Sequence, residues 1–486
     1  MKRVWPMNRV TCRPMPALLG ILLLVPGASL LLAAEGEGVP FQMLDQYCSD
    51  CHNLEDFSGS LAFELVDRNA AHVDAETWEK VIRKLNAGMM PPPGKERPDA
   101  AQLSTFVASL EEAIDNHALT SPQPGAPLLR RLNRTEYQNA IRDLLDLPID
   151  TSELMPADDS SGGFDNVANV LSISPVLLES YISTASRVSR LAVGDLDAVA
   201  AGTVYRSDGQ SQASHKEGLA LGSRGGVSAQ HVFPLDAEYE ITVARGGANG
   251  AFALTPFGDE DPVEIVIDGE RVALLKAEDS ATIRIPLGGG VHQVDAAYLP
   301  MAPGLGVDDL HRVWASSTAI GSMTIRGPLN PTGRGDTASR RRIFSCYPES
   351  TRRELPCAEQ IMRKLATQAF RKPLNQESLD ILLDFYRKGR EKADFDTGIQ
   401  YALSRLLADP QFIFRFESEP ENLPVGAVYA VNDYELASRL AFFLWSSLPD
   451  EQLLDLAGQG KLSDEKVLRS EVQRMLKDAR AQSLVT

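Results

Sequence analysis

The hydrophobic positions change period twice along the chain, and those changes divide it. Trp78, Val81, Ile82 and Leu85 stand at i, i+3, i+4 and i+7, one face of a helix that Asp74 is placed to cap and Gly88 to end. Leu103, Phe106, Val107, Leu110 and Ile114 predict a second helix over about 99–117. Asn133 and Glu136 have capping-box spacing ahead of Tyr137, Ile141, Leu144 and Leu145, and Pro148 closes that helix. Ser174-Pro175 opens the next, with Val176, Leu177, Tyr181 and Ile182 expected to pack inward. From about 202 to 327 the period becomes two. Runs at 239–243, 263–267, 281–285 and 323–325 alternate apolar and polar residues, and Asp268-Gly269 is a hairpin signal. Short strands at this spacing predict an antiparallel sandwich. Helical spacing then returns. Pro356 is expected to open a helix bearing Ile361, Leu365 and Phe370. Asn375 caps another, with Leu379, Leu382, Leu383 and Tyr386 on one face and Gly389 as its stop. A third is expected over about 397–408, ended by Asp409-Pro410. Asp433 is placed to cap a fourth containing Tyr434, Leu436, Leu440, Phe443 and Leu444, and Ser463 to start a last one.

The expected fold is multidomain and mainly α, with one inserted all-β module. Residues 41–118, 128–195, 346–418 and 428–486 read as helical domains, and 202–327 as a β-sandwich of jelly-roll type. Residues 119–127 are a linker of turn residues and prolines. Residues 328–345 read as a second linker, in which Arg340, Arg341 and Arg342 form a solvated patch. Residues 1–34 read as a secretory signal: Lys2, Arg3, Arg9 and Arg13 precede an apolar run from Ala17 to Leu32, and Ala33-Ala34 offers a cleavage site. An uncleaved membrane anchor is the competing reading. Either reading places the body of the protein in the periplasm or cell envelope.

Charge and cysteine usage narrow the function. The 486 residues carry a formal net charge of −18, which argues against nucleic-acid binding. Of five cysteines, Cys12 lies in the signal. Cys346 and Cys357, eleven apart in an exported chain, are expected to pair as a disulfide rather than remain free thiols.

The remaining two, in Cys48-Ser-Asp-Cys51-His52, carry the candidate chemistry. This order attaches c-type haem: each thiol adds across one vinyl group, and the adjacent imidazole ligates the iron. A dithiol redox pair would want a thioredoxin-like βαβ setting, and a zinc site a second ligand pair; neither surrounds it. Further on, Met89-Met90-Pro91-Pro92-Pro93 offers a thioether in a proline-rigid loop, as a sixth iron ligand requires. The stretch 41–118 resembles a small class I cytochrome c domain. The resemblance implies that Met90, directly before the prolines, is the axial ligand opposite His52, and leaves Met89 to the core. His72 or His117 would give bis-histidine ligation instead.

Two other stretches are candidate sites. Asp158, Asp159, Asp165 and Asn166 lie within nine residues in a polar loop, a candidate calcium site or substrate pocket without EF-hand spacing. Asx-rich turns also serve only themselves. The β module looks like jelly-roll modules that bind carbohydrate, with Tyr205, Tyr298 and Trp314 as candidate stacking rings, although a lone aromatic in a sandwich is more often core.

The layout as a whole resembles large exported multidomain cytochrome c proteins of planctomycetes and related bacteria. The motifs that carry the resemblance are Cys48-x-x-Cys51-His52, Gly88-Met-Met90-Pro, Leu132-Asn133-Arg134-Thr135-Glu136-Tyr137, Gly163-Phe164-Asp165-Asn166, Ala369-Phe370-Arg371-Lys372-Pro373 and Asp409-Pro410-Gln-Phe412. Members usually continue through further helical domains, so the ending at Thr486 reads as truncated. The resemblance implies covalent haem c, electron transfer through His/Met-ligated iron and a redox partner protein. A haem-containing redox enzyme acting on an extracellular polymer such as carbohydrate is the alternative, and an envelope binding or sensory haem protein a third. The chain shows no Ser/His/Asp triad, phosphate loop or zinc-helix motif, and its later helical stretches hold no histidine, which weakens an independent hydrolase.

Overall fold

The computed structural model describes residues 40–122, 124–125, 129–167, 171, 173–207, 218–219, 224–245, 262–276, 280–299, 320–424 and 427–485. The expected signal segment, Cys12 and Trp314 lie outside them. The chain divides into two compact units, Met1–Gly125 and Ala126–Thr486.

The first unit is built on α1 (Gln42–Tyr47), α2 (Ala75–Asn86) and α3 (Ala100–Thr120). Leu44, Phe63, Trp78, Leu85, Phe106 and Leu110 form its core. Asp99 and Gln102 make a full capping box at the start of α3. Asp74 stands at the N-cap of α2 but does not cap it. Its carboxylate accepts from the Asp67 N–H at 2.9 Å and ties down the preceding loop.

In the second unit, β1 (Arg130–Arg131) leads into α4 (Arg134–Leu145), capped by the expected Asn133/Glu136 box. Ser174 caps α5 (Pro175–Val193). The buried face of α5 is Leu177, Tyr181, Ala185 and Val188; Val176 and Ile182, expected inside, are exposed. That face is a narrower stripe than the apolar residues alone suggested.

The β module follows as β2 (Ala201–Arg206), β3 (Arg224–Phe233), β4 (Asp236–Arg245), β5 (Val263–Ile267), β6 (Glu270–Leu275), β7 (Ser280–Leu287), β8 (Gly290–Tyr298) and β9 (Ile320–Gly333). Two four-stranded antiparallel sheets, ordered β2-β9-β4-β7 and β3-β8-β5-β6, enclose Tyr239, Ile241, Ile265, Val294 and Ile325. Asp268 (φ 50°) and Gly269 (φ 82°) make the predicted hairpin turn, which needs positive φ at both positions.

The segment 328–345 is not a linker. Strand β9 runs to Gly333 and α6 (Ala338–Ile343) follows. Arg340 reaches the buried Asp396 at 2.7 Å and the Val193 carbonyl, and Arg342 donates to Gln368; of the three, Arg341 stays exposed. A charge buried with a hydrogen-bonded partner is tolerated where a lone one is not.

Helix α7 (Thr351–Phe370) begins upstream of Pro356, which sits inside it and costs one backbone bond. Cys346 and Cys357 form the expected disulfide. Helix α8 (Gln376–Arg390) runs past Gly389, because that glycine serves packing. A Cβ there would lie 2.6 Å from the Thr397 carbonyl on α9 (Phe395–Leu407), and one at Gly398 would lie 2.6 Å from the Tyr386 ring. Two facing glycines thus bring α8 and α9 together. Asp409 caps the short α10 (Pro410–Ile413). It leads to β10 (Phe414–Arg415), which pairs antiparallel with β1. Residues 128–195 and 346–418 therefore share one core, in which Tyr137, Ile141 and Tyr181 lie with Ile361, Leu403 and Phe412.

Helix α11 (Asp433–Trp445) is capped one residue earlier than expected, by Asn432 with Glu435; the Asp433 carboxylate accepts instead from Leu462 N–H. Its buried face is Ala437, Ala441, Leu444 and Trp445, and Phe443 is exposed. Helix α12 (Glu451–Gly458), capped by Asp450, was not anticipated, and α13 (Glu465–Met475) is capped by Asp464 rather than Ser463.

Tyr205 is not an open stacking platform. Its hydroxyl lies 2.8 Å from Nδ1 of His231, which faces His292 across β3 and β8. Burial, reinforced by His292, moves His231 from its ordinary value down to about 4. The folded form keeps this ring neutral, while the unfolded chain takes up a proton below about pH 6.5. Stability is therefore complete above pH 6.5 and falls as pH drops toward 4, by about 2–3 kcal/mol. Denaturant unfolding of the wild type and of His231→Gln at pH 7.5 and 4.5 should show the wild type losing that extra amount. An equal loss in both would contradict the assignment.

Candidate functional site

The Cys-x-x-Cys-His stretch continues the turn that ends α1. Cys48 N–H bonds to the Leu44 carbonyl at 2.9 Å, and the N–H groups of Cys51 and His52 both reach the Cys48 carbonyl. Both cysteines are half-buried and unpaired with each other. Burial, with Cys51 adding to it, pushes the Cys48 thiol up to about 11. A redox dithiol shows the opposite, a depressed thiol.

His52 is held by its own loop. Its Nδ1 lies 2.8 Å from the Ser58 carbonyl, so that nitrogen carries the proton and Nε2 keeps its lone pair. Phe63 packs edge-on at 5.8 Å, and its N–H bonds to the His52 carbonyl. An imidazole oriented through one nitrogen with the other left as an acceptor is the arrangement of an iron ligand.

The proline loop separates the two methionines. Met90 packs against the core of the unit. Met89, expected in the core, is 53% exposed with Lys84 beside its sulfur. Arg97 donates to the Pro91 and Gly88 carbonyls and fixes the loop. His72 and His117 stack on each other with ring centroids 3.7 Å apart.

Two features test whether these residues fit a haem. The Trp78 indole is fully buried, yet its N–H has no acceptor among the described residues. A buried donor left open is costly unless another group completes the site, and a haem carries acceptor carboxylates. Leu54, Phe57 and Leu65, all close after His52 in sequence, expose large apolar surface suited to a macrocycle. The residues present fit the group.

The acidic loop does not gather as a metal site. Asp158 makes a buried ion pair with Arg131 at 2.6 Å and accepts the Arg134 N–H at 2.6 Å. Asp159 is exposed, and Asp165 accepts from the Asn133 side chain at 2.9 Å. Among the described residues, no group of three or more His, Cys, Asp or Glu side chains is placed to hold a metal ion, and no calcium site is carried forward. Asp165 and Asn166 instead line a cavity of about 640 Å³, together with Asn133, Glu136, Phe164 and Arg480. Of this lining, Asp165 and Asn166 are the residues expected from the sequence as a candidate site. The wall from Trp445 and residues 479–485 is distant in sequence and gave no signal.

Three family models match the second unit. They are PSD3, a protein of unknown function (DUF1587), over 130–194; PSD5, a protein of unknown function (DUF1595), over 357–417; and PSD4, a protein of unknown function (DUF1592), over 431–486. No curated protein matches. Among solved structures, a selenomethionine-labelled β-glucosidase from Kluyveromyces marxianus is similar at 12% identity over 58% of this chain and 35% of that one; its TM-score of 0.13 carries no fold argument.

The Arg131–Asp158 pair gives a direct test of the loop. Asp158→Ala removes the carboxylate paired with the buried Arg131 guanidinium and should cost about 3–5 kcal/mol, whereas Asp159→Ala should stay within about 0.5 kcal/mol. Equal effects in denaturant unfolding would contradict the structural role of Asp158. The chain carries three of the domains of unknown function that are found in planctomycete-type cytochrome proteins.

Proposed function

We propose that the protein is an exported c-type cytochrome that transfers electrons to or from a redox partner protein in the periplasm or cell envelope. The observation that carries the reading is His52, set directly after Cys48-x-x-Cys51 and locked by the Ser58 carbonyl with Nε2 left open. Cys48 and Cys51 would hold the haem covalently, each S–H adding across a vinyl C=C so that sulfur gains the C–S bond and the hydrogen goes to the neighbouring carbon, with no external oxidant. Nε2 of His52 and Sδ of Met90 would hold the iron. The Trp78 N–H would be available to donate to an acceptor of that group. Haem held this way supplies a one-electron iron couple, whose potential His/Met ligation raises. The residues 1–34 deliver the chain to the compartment where attachment occurs.

This reading separates the two adjacent methionines. The oxidised holoprotein should show the weak near-infrared charge-transfer band of methionine–iron ligation. Met90→Ala should abolish it, and Met89→Ala should leave it in place. A band that survives Met90→Ala, or disappears with Met89→Ala, would contradict the ligand assignment.

A further inference from the structure

The cavity in the helical unit has features that electron transfer does not use. It lies where the start of α4, the 163–166 loop, the end of α11 and residues 479–485 meet. Its cations are already engaged. Arg142 bonds to Asp143 at 2.8 Å and to the Asn139 side chain. Arg480 bonds to Asp478 at 2.7 Å and stacks over the Trp445 ring at 3.5 Å. Glu136 is likewise held by Arg130 at 2.6 Å. What stays open is one oxygen of a carboxylate whose other oxygen accepts from Asn133, an amide, a hydroxyl and a ring. Asp165 is exposed and in no ion pair among the described residues; the Asn166 amide and the Thr135 hydroxyl have no hydrogen-bond partner among them.

The ring is Phe164, which is 65% exposed. Its position is built. Ser161 and Phe164 exchange both backbone hydrogen bonds, and Gly162 (φ 60°) and Gly163 (φ 88°) close the two-residue turn between them. Positive φ at both central positions is what such a turn demands, so the glycines are needed to present the phenyl ring. Exposing a large apolar ring beside a polar cavity gains nothing for folding and suits an apolar ligand face.

We infer that this cavity binds a neutral saccharide, stacked on Phe164 and hydrogen-bonded through Asp165, Asn166 and Thr135. A sugar offers a C–H face to the ring and hydroxyls that donate to the carboxylate and pair with the amide. An anionic ligand finds no free cation in the lining and meets Asp165. The volume is that of a small-molecule site.

The test is saturation-transfer NMR on the full chain with cellohexaose, xylohexaose, mannohexaose and maltohexaose, with heparin and spermine as charged probes. At least one neutral oligosaccharide should bind, and Phe164→Ala should weaken it about fivefold or more. Asp165→Ala should also weaken it. Phe164 is exposed, so the unfolding midpoint of Phe164→Ala should not move; Asp165→Ala also removes the acceptor of the Asn133 side chain, so its binding is compared at a temperature where that variant is fully folded. Failure of all four sugars would overturn the inference, as would preferential binding of spermine or heparin. Sugar binding untouched by both substitutions would place the site elsewhere and overturn it too.

Discussion

A guanidinium that leaves water needs an acceptor for nearly every N–H, and the helical part of the second unit is arranged around that demand. Arg371 is buried at the end of α7 and donates to the carbonyls of Ala369, Gln411, Phe412 and Phe414. Burial lowers it to about 9. Three of those carbonyls, of Gln411, Phe412 and Phe414, lie in α10 and at the start of β10, so the same side chain fixes the strand that pairs with β1. Arg131, on β1, is buried against Asp158. Arg340 joins α6 to the carboxylate that starts α9. Each arginine ties together segments far apart in sequence, and the shared apolar core fills in around them.

This explains which parts of the fold could be read from the chain. Caps and periodic faces are local, and Asn133 with Glu136, Ser174 with Pro175, Asn375 and Asp268-Gly269 all act as their residue types predict. Residues with two competing partners went the other way. Asp74 and Asp433 stand where capping residues stand, but a more distant N–H takes each carboxylate. Gly389 was read as a helix stop because glycine often is one; its role depends on Tyr401 and Thr397, which only the tertiary structure brings near. Arg340 and Arg342 looked solvated because a run of arginines usually is, and their acceptors lie in other helices.

The candidate sites divide in the same way. The pattern on which the proposed haem attachment rests is five consecutive residues, Cys48 to His52, and needs no tertiary structure to be seen; the Ser58 carbonyl that holds His52 Nδ1 depends on a loop closing back and gave no signal. Met90 and Met89 are neighbours of one type, and packing alone separates them. The acidic loop was legible as a polar feature but not as two separate things: Asp158 turned inward as a structural ion pair, and Phe164-Asp165-Asn166 turned outward to a cavity. The two units thus carry different candidate chemistry: the Cys48-x-x-Cys51-His52 stretch in the first, and an open polar cavity in the second.

The measurement that bears most directly on the central claim is retention of haem by the denatured polypeptide. The full chain would be produced in a host with haem-attachment machinery, denatured, and extracted with acidified organic solvent. The account predicts that haem stays with the protein, that Cys48→Ala combined with Cys51→Ala releases it, and that Cys346→Ala combined with Cys357→Ala does not. Haem extracted fully from the unaltered chain, or none acquired at all, would contradict it and return Cys48 and Cys51 to the reading of a thiol pair.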